Sequence, residues 1–201
     1  MPTTPSTPTT DGRVARRVRN RAAVVDAIVS IVNTGDHAPS MAKVAGVAGV
    51  SERSIFRHFE TLDTLYAAVV NHQTAIWRSI LKGVPPDGPL ADRVEALVLE
   101  RSRLYEKITP MRKAAQRYED ESDAIAAQLA VARRWLRQEL EIAFAPELDR
   151  HPAADRRDLV TAIDANTTWA AWIVLREQQR CSVARARRVT ARILASLLAH
   201  P

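Results

Sequence analysis

The chain has 201 residues, 46% of them hydrophobic and 26% charged, which suffices for one sizeable core and excludes wholesale disorder. Six glycines and one cysteine, Cys181, exclude a disulfide scaffold, a multi-cysteine zinc site and a Gly-rich nucleotide fold, and no apolar run approaches the roughly 18 residues of a membrane span. Twenty-nine Lys and Arg against twenty-three acids give a formal charge of +6, a surplus that favours polyanionic partners through phosphate contacts and counterion release.

Residues 1–12, MPTTPSTPTTDG, are poor in apolar side chains and rich in Pro and Thr, and are expected to be a disordered tail. They hold no apolar core of a signal peptide, so with the lone cysteine the expectation is a reducing, cytoplasmic compartment. A basic arm follows, with Arg13, Arg16, Arg17, Arg19 and Arg21 inside nine residues, and leads into Val24, Val25, Ile28, Ile31 and Val32 at helical spacing. Asn33-Thr34-Gly35-Asp36 stops that helix. Ser40 caps a short helix from Met41 to Ala48, Gly49 breaks it, and Ser51 caps a second one ending near His58. Thr61 with Asp63 and Thr64 opens a longer helix through Leu65, Val69, Ile76 and Ile80. GVPPDGP at 83–89 is the clearest break. Beyond it the pattern predicts helices near 90–108, 110–119, 122–145, 153–178 and 182–199. The expected fold is all-α, about nine helices: a helix-turn-helix head over 13–62 and a larger helical body over 63–201.

The chemistry concentrates in SMAKVAGVAGVSERSIFRHF, residues 40–59. Ala45 is small enough for close helix contact, Gly49 takes the turn and Val50 plugs the space between the two helices. The second helix presents Glu52, Arg53, Ser54, Arg57 and His58, while Ile55 and Phe59 face inward. One Arg and two hydroxyls in its first turn suit base edges in a major groove. Upstream arginines, Arg17 and Arg19 foremost, suit an adjacent minor groove. A plain helical hairpin with a solvated charged face fits the same spacing.

From Arg21 to Val70 the pattern resembles the DNA-binding head of the TetR family of bacterial transcriptional regulators. The matching pieces are the apolar first helix, Thr34-Gly35, Ser40 with Val44-Ala45, Ala48-Gly49-Val50-Ser51, Ile55-Phe56-Arg57-His58-Phe59, and Leu65. The resemblance implies that Ser40 and Lys43 lie at the DNA backbone, that Ser51, Arg53, Ser54 and Arg57 read bases or touch phosphate, and that His58 is a backbone contact. Three positions depart from the family's pattern. Phe56 stands where Tyr is common, Leu62 where a Lys is usual, and Gly46 sits inside the short second helix.

The resemblance also implies an effector pocket in the body and a homodimer formed by the last two helices, with Trp172, Ile173, Val189, Ile193 and Leu197 at the interface. From the residues alone, Arg101 falls on the apolar stripe of Val94, Leu97, Val98, Leu104, Tyr105 and Ile108, where its guanidinium needs an internal carboxylate or an anionic ligand. Asn166 and Thr167 interrupt another stripe, and could bond a ligand or bridge two protomers. Trp77, Trp135 and Trp169 suit a pocket wall or a core. The resemblance makes the 110–119 helix, with Met111 and Tyr118, a mobile gate.

Weaker constellations are His151, Asp155 and Asp158, with passable metal spacing but equally a solvated helix start, and the acidic Glu119-Asp120-Glu121 with Asp123. Cys181 has no resolving partner for redox chemistry. No Gly-rich phosphate loop, nucleophile elbow or HExxH is present, so no enzyme, metal or cofactor is expected. The reading is a ligand-responsive regulator, a repressor that binds a palindromic operator as a homodimer and is released by a small molecule. The alternative is a helical small-molecule-binding protein or enzyme whose head is vestigial.

Overall fold

A computed structural model describes residues 9–119 and 122–199, and among them there are ten α-helices, one π-helical turn and no strand. Residues 1–8 of the expected tail, and Asp120-Glu121 of the acidic cluster, lie outside the described residues. Among the described residues no helix is long and apolar enough to cross a membrane.

Helix α1 spans Thr9–Asn33. The tail therefore ends sooner than the expected Gly12, and the basic arm is helical. Arg, Ala and Val extend upstream a helix that the buried segment from Val24 to Val32 nucleates, since adding residues to an existing helix is far easier than starting one. Gly35, at φ 101°, ends it. Helix α2, Met41–Ala48, starts where the Ser40 hydroxyl accepts from the Lys43 N–H and stops at Gly49. Gly49 adopts φ 66°, ψ 30°, a left-handed conformation costly for other residues, and its N–H returns to the Ala45 and Gly46 carbonyls. Helix α3, Glu52–Phe59, is capped by the Ser51 hydroxyl on the Ser54 N–H. Thr61 and Thr64 then cap each other reciprocally at the start of α4, Leu62–Ile80.

Helix α5, Leu90–Gln116, departs from the expected pair of helices at 90–108 and 110–119. Pro110 lies inside it, where it forfeits one backbone bond to the preceding turn. The Thr109 hydroxyl, 2.6 Å from the Tyr105 carbonyl, supplies a donor beside that gap. Helix α6, Asp123–Ala143, is followed by the single-turn α7, Ala145–Leu148. The expected continuous helix at 153–178 is instead α8, Ala153–Thr167, then α9, Trp169–Ile173, then a π-helical turn at Val174–Gln178. No Gly or Pro makes this break. Thr168 turns extended at ψ 161° and its hydroxyl caps the Ala171 N–H, while the Thr167 hydroxyl donates back to the Ile163 carbonyl. Both hydroxyls compete with the helical ladder for backbone groups. Helix α10, Val183–Leu198, is capped by Ser182.

The chain divides into two compact units, one of residues through Gln73 with Pro110–Gln128, the other of Thr74–Thr109 with the chain from Leu129 onward. The first is larger than the expected 13–62 head. Leu65 and Val69 of α4, and Met111 and Ala114 of α5, fill the same core as Val24, Ile28, Val44, Ile55 and Phe59. The second unit holds two cores, one around Leu97, Leu140, Phe144, Ile163 and Leu194 and one around Trp77, Leu104, Tyr105 and Trp172. Within it Arg93 is buried and donates from all three of its nitrogens. Its Nε donates to the Gly88 carbonyl at 3.2 Å, Nη1 to the Ala143 carbonyl and Glu147 Oε2 at 2.6 and 2.8 Å, and Nη2 to Glu147 Oε1 at 2.6 Å. These bonds from Arg93 hold the Glu147 carboxyl below its usual range.

Removing that charge by Glu147→Gln is expected to destabilise the protein by about 3 kcal/mol in denaturant titrations at pH 7, because it strands a buried guanidinium. The parent's contribution from this carboxylate is complete above about pH 4.5 and is lost as pH falls through the lowered native value. The variant lacks that part of the acid transition. In the first unit, a methyl added at Gly46 meets nothing within 4 Å. Gly46→Ala is therefore expected to raise stability by about 1 kcal/mol, and an unchanged or lower denaturation midpoint would count against it.

Candidate nucleic-acid interface and ligand cavity

Helix α3 has two unlike faces. Ile55, His58 and Phe59 are buried, at positions i, i+3 and i+4, while Glu52, Arg53, Phe56 and Arg57 are exposed and Ser54 is half-buried. The exposed face starts at the N-terminus, where the Ser51 and Ser54 hydroxyls lie 3.0 Å apart and Arg57 Nη2 donates to Ser54 Oγ at 3.3 Å. Arg57 is thus held along the helix toward its first turn. Arg53 makes no ion pair or hydrogen bond among the described residues, so its whole donor fork is free. Ser40 and Lys43 are exposed at the start of α2, with the Lys43 ammonium 2.7 Å from Asp36 Oδ2. That ammonium holds the Asp36 carboxyl below its usual range.

Two expectations about this face change. His58 is not at the surface. It shares the buried side of α3 with Ile55 and Phe59, and neither ring nitrogen has a hydrogen-bond partner among the described residues. A polar residue at an inward helical position reads as exposed only when its polarity is weighed above its spacing. Arg21, expected in the free arm, is a clamp. Its Nη1 donates to the His58 carbonyl at 3.0 Å, at the C-terminal end of α3, and its guanidinium lies 4.5 Å from the centre of the Phe59 ring. The signal was present in the spacing, because Arg21, Val24, Val25 and Ile28 stand at i, i+3, i+4 and i+7. Upstream, Arg13, Arg16, Arg17 and Arg19 are all exposed on α1, joined by Val14 and Val18 at 56% and 62% exposure. Phe56 and Leu62, which depart from the family's polar pattern, are 47% and 45% exposed.

The candidate ligand residues do not all meet. Arg101, Tyr105 and Asn166 line one small cavity of the second unit, of about 10 Å³, together with Val98, Trp172 and Thr190. Arg101 Nη2 donates to the Leu136 carbonyl at 2.6 Å and lies 3.5 Å from Glu139 Oε2, while Nη1 has no partner. The Tyr105 hydroxyl donates to the Thr167 carbonyl at 2.6 Å, where the backbone leaves α8. Asn166 Nδ2 donates to the Ala162 carbonyl at 2.9 Å. Trp135 and Trp169 pack instead beside the Trp77 core, Trp135 under Arg78 and Trp169 donating to Thr109 Oγ1 at 3.1 Å. Met111 lies in the first unit, at the end of α5 rather than in a separate gate helix. There it lines a cavity of about 40 Å³ with Ile28, Val32, Val69 and Tyr118, whose ring stacks on Tyr66 at 4.7 Å.

Among the expected interface residues, Trp172 is already buried within one chain and donates to Glu106 Oε1 at 2.9 Å, so it offers no surface to a partner. Ile173, Val189, Ile193 and Leu197 are half-buried. Cys181 is buried, and no group of three metal-ligating side chains occurs among the described residues.

No family model matches the chain, and no curated protein matches it. Solved structures do match its fold. A TetR-family transcriptional regulator from Streptomyces coelicolor superposes with a TM-score of 0.70 at 16% identity, over 90% of this chain and 80% of that one. A transcriptional regulator from Rhodococcus sp. RHA1 gives 0.67 at 17% identity, over 91% and 96%. A putative TetR-family transcriptional regulator from Mesorhizobium loti gives 0.65 at 17%, over 92% and 97%. The chain has the all-α fold of TetR-family regulators.

Burial, reinforced by the charges of Arg57, Arg17 and Arg21, lowers the pKa of His58 below 6.5. Above pH 6.5 the ring is neutral in both states; below it the unfolded chain takes a proton that the folded one resists, so stability falls with pH. His58→Leu is expected to flatten that fall without loss of stability at pH 7.5, since it also removes two unpartnered polar atoms. Thermal unfolding across pH 5 to 8 reads both effects, and an unchanged slope in the variant would refute the assignment.

Proposed function

We propose that this chain is a DNA-binding transcriptional regulator of the TetR type, acting as a homodimer on a palindromic operator, and a repressor released by a small molecule. The observation that carries the reading is α3. Its inner face is locked by Ile55, His58 and Phe59 and by the Arg21 clamp, and its outer face carries the free Arg53 and the Ser54-braced Arg57. Arg53 and the Ser51 and Ser54 hydroxyls address base edges. Arg57, Ser40 and Lys43 address phosphates, and the free N–H groups at the start of α3 add to them. Arg17 and Arg19 of α1 extend the basic surface. The half-exposed Ile173, Val189, Ile193 and Leu197 supply the dimer contact, in a four-helix bundle made by the α8–α9 segment and α10 of each chain. Two such heads span successive major grooves, roughly 34–36 Å apart. An effector in the second unit favours a state in which that spacing is lost, a coupling typically about 1–3 kcal/mol.

Exposed Phe56 and Leu62 favour a second reading, in which the head is vestigial and the protein only binds a small molecule. Selection from a random duplex DNA pool at near-physiological salt separates the two. The regulator yields a palindromic consensus whose affinity falls steeply with added salt. A vestigial head yields a featureless pool. On the selected site, Arg53→Ala and Arg57→Ala are each expected to cost about 1–3 kcal/mol while leaving the dimer intact in sedimentation. Footprints identical to the parent's from both variants would sink the assignment of α3.

A further inference from the structure

The second unit contains two buried arginines, and they are treated differently. Arg93 is the structural case, with donors on all three nitrogens used and a carboxylate bound through both oxygens. Arg101 is equally buried, at 4% exposure, yet its Nη1 is unpartnered. The carboxylate nearest to it, Glu139, stands 3.5 Å from Nη2, a nitrogen that already donates to the Leu136 carbonyl. That distance and single approach are not the paired fork that a guanidinium and a carboxylate make when they belong to each other. The two acids report the same contrast. Glu147 is held below its usual range by the bonds from Arg93, whereas burial pushes Glu139 above it against the pull of Arg101.

The unsatisfied guanidinium lines a cavity, and so do the Tyr105, Asn166 and Thr190 side chains. We propose that this cavity is a subsite for the carboxylate of a small organic acid, with Arg101 Nη1 donating to one carboxylate oxygen. Charge decides the class. One guanidinium that already faces Glu139 at 3.5 Å suits a monoanion and not a dianionic phosphate or sulfate, and about 10 Å³ admits one oxygen of it. The walls agree, since Val98 and Trp172 offer apolar surface to the carbon next to the carboxylate, while Thr190 brings a hydroxyl. The Tyr105 hydroxyl, its proton committed to the Thr167 carbonyl, ties this site to the break between α8 and α9. The break places irregular backbone at the cavity wall, where Thr168 is a lining residue. Occupancy of the subsite therefore bears on a segment held by two threonine hydroxyls and not by a continuous ladder.

The inference deepens the ligand-responsive part of the function proposed above, so its test is read on the protein without DNA. Sodium acetate, propionate and benzoate are titrated into the full chain at constant ionic strength, by calorimetry and thermal shift, against acetamide, propionamide and benzamide. The acids are expected to bind and raise the melting temperature, and the amides are not. Arg101→Leu is expected to weaken the best acid by at least about tenfold, the loss of one buried charge-assisted bond, with part recovered in Arg101→Lys. Glu139→Gln, which leaves Arg101 in place and removes the competing anion, is expected to bind several-fold more tightly. The proposal is overturned by binding that Arg101→Leu leaves unchanged, by amides that bind as well as their acids, or by Glu139→Gln binding equally or more weakly. The last variant carries the test if Arg101→Leu does not fold. Acid binding without any effect on retention of the selected DNA supports the subsite and fails the regulatory reading. A consensus operator with no binding of any acid does the reverse.

Discussion

A helix of eight residues has no stability of its own in water, and everything proposed for the exposed face of α3 depends on what forces that helix to exist. Three constraints do so. The left-handed Gly49 and the Ser51 hydroxyl set where it begins, its Ile55–His58–Phe59 side is buried in the first unit's core, and Arg21 closes its far end by bonding the His58 carbonyl and covering the Phe59 ring. With position and axis determined by groups that point inward, the outward side chains need no contacts of their own to be correctly placed. This is why Arg53 can remain without an internal partner.

The second unit relies on a different economy of polar groups. Its long helices are interrupted and re-tied by side-chain bonds to the main chain. The Thr109 and Thr167 hydroxyls donate to carbonyls one turn back, Thr168 restarts a helix, and Trp172 and Arg176 converge on Glu106. Arg93 closes the loop from Gly88 to Ala143 and Glu147. Against that background of tied groups, two buried donors stand open, Trp77 Nε1 and Arg101 Nη1.

The features legible in the sequence were the local ones. Caps at Ser40, Ser51 and Thr61 and the turn at Gly49 depend on residues within a few positions of one another, and each occurs as its sequence predicts. Interruptions of helices were not legible by the usual markers. Pro110 is carried inside α5, while the break after α8 is made by threonines that elsewhere sit inside helices, because tertiary bonds and not propensity decide which carbonyls are free. At the candidate interface, Arg53, Arg57 and the serines were readable from helical spacing. His58 and Arg21 stand at inward helical positions that their polarity masks, and the groups that hold Arg21 and Trp172, the His58 carbonyl and Glu106, lie on other segments. Arg101 was readable as buried, but its lack of saturation was not, since that depends on the 3.5 Å offset of Glu139.

The upstream half of α1 has a kinetic consequence. From Arg13 to Arg19 the helix presents only exposed and half-exposed residues, with Val14 and Val18 uncovered, so no core contact nucleates it. It exists because the segment from Val24 to Val32 has already met the cost of the first turn. Each further turn is then added or lost in nanosecond propagation steps, without a fresh nucleation barrier. Arginines carried on such an extension can wind or unwind turn by turn against a polyanion after first contact. Under the function proposed above, the charge that steers the encounter is thereby decoupled from the rigid α3 that would discriminate, and the search and the reading would proceed on separate clocks.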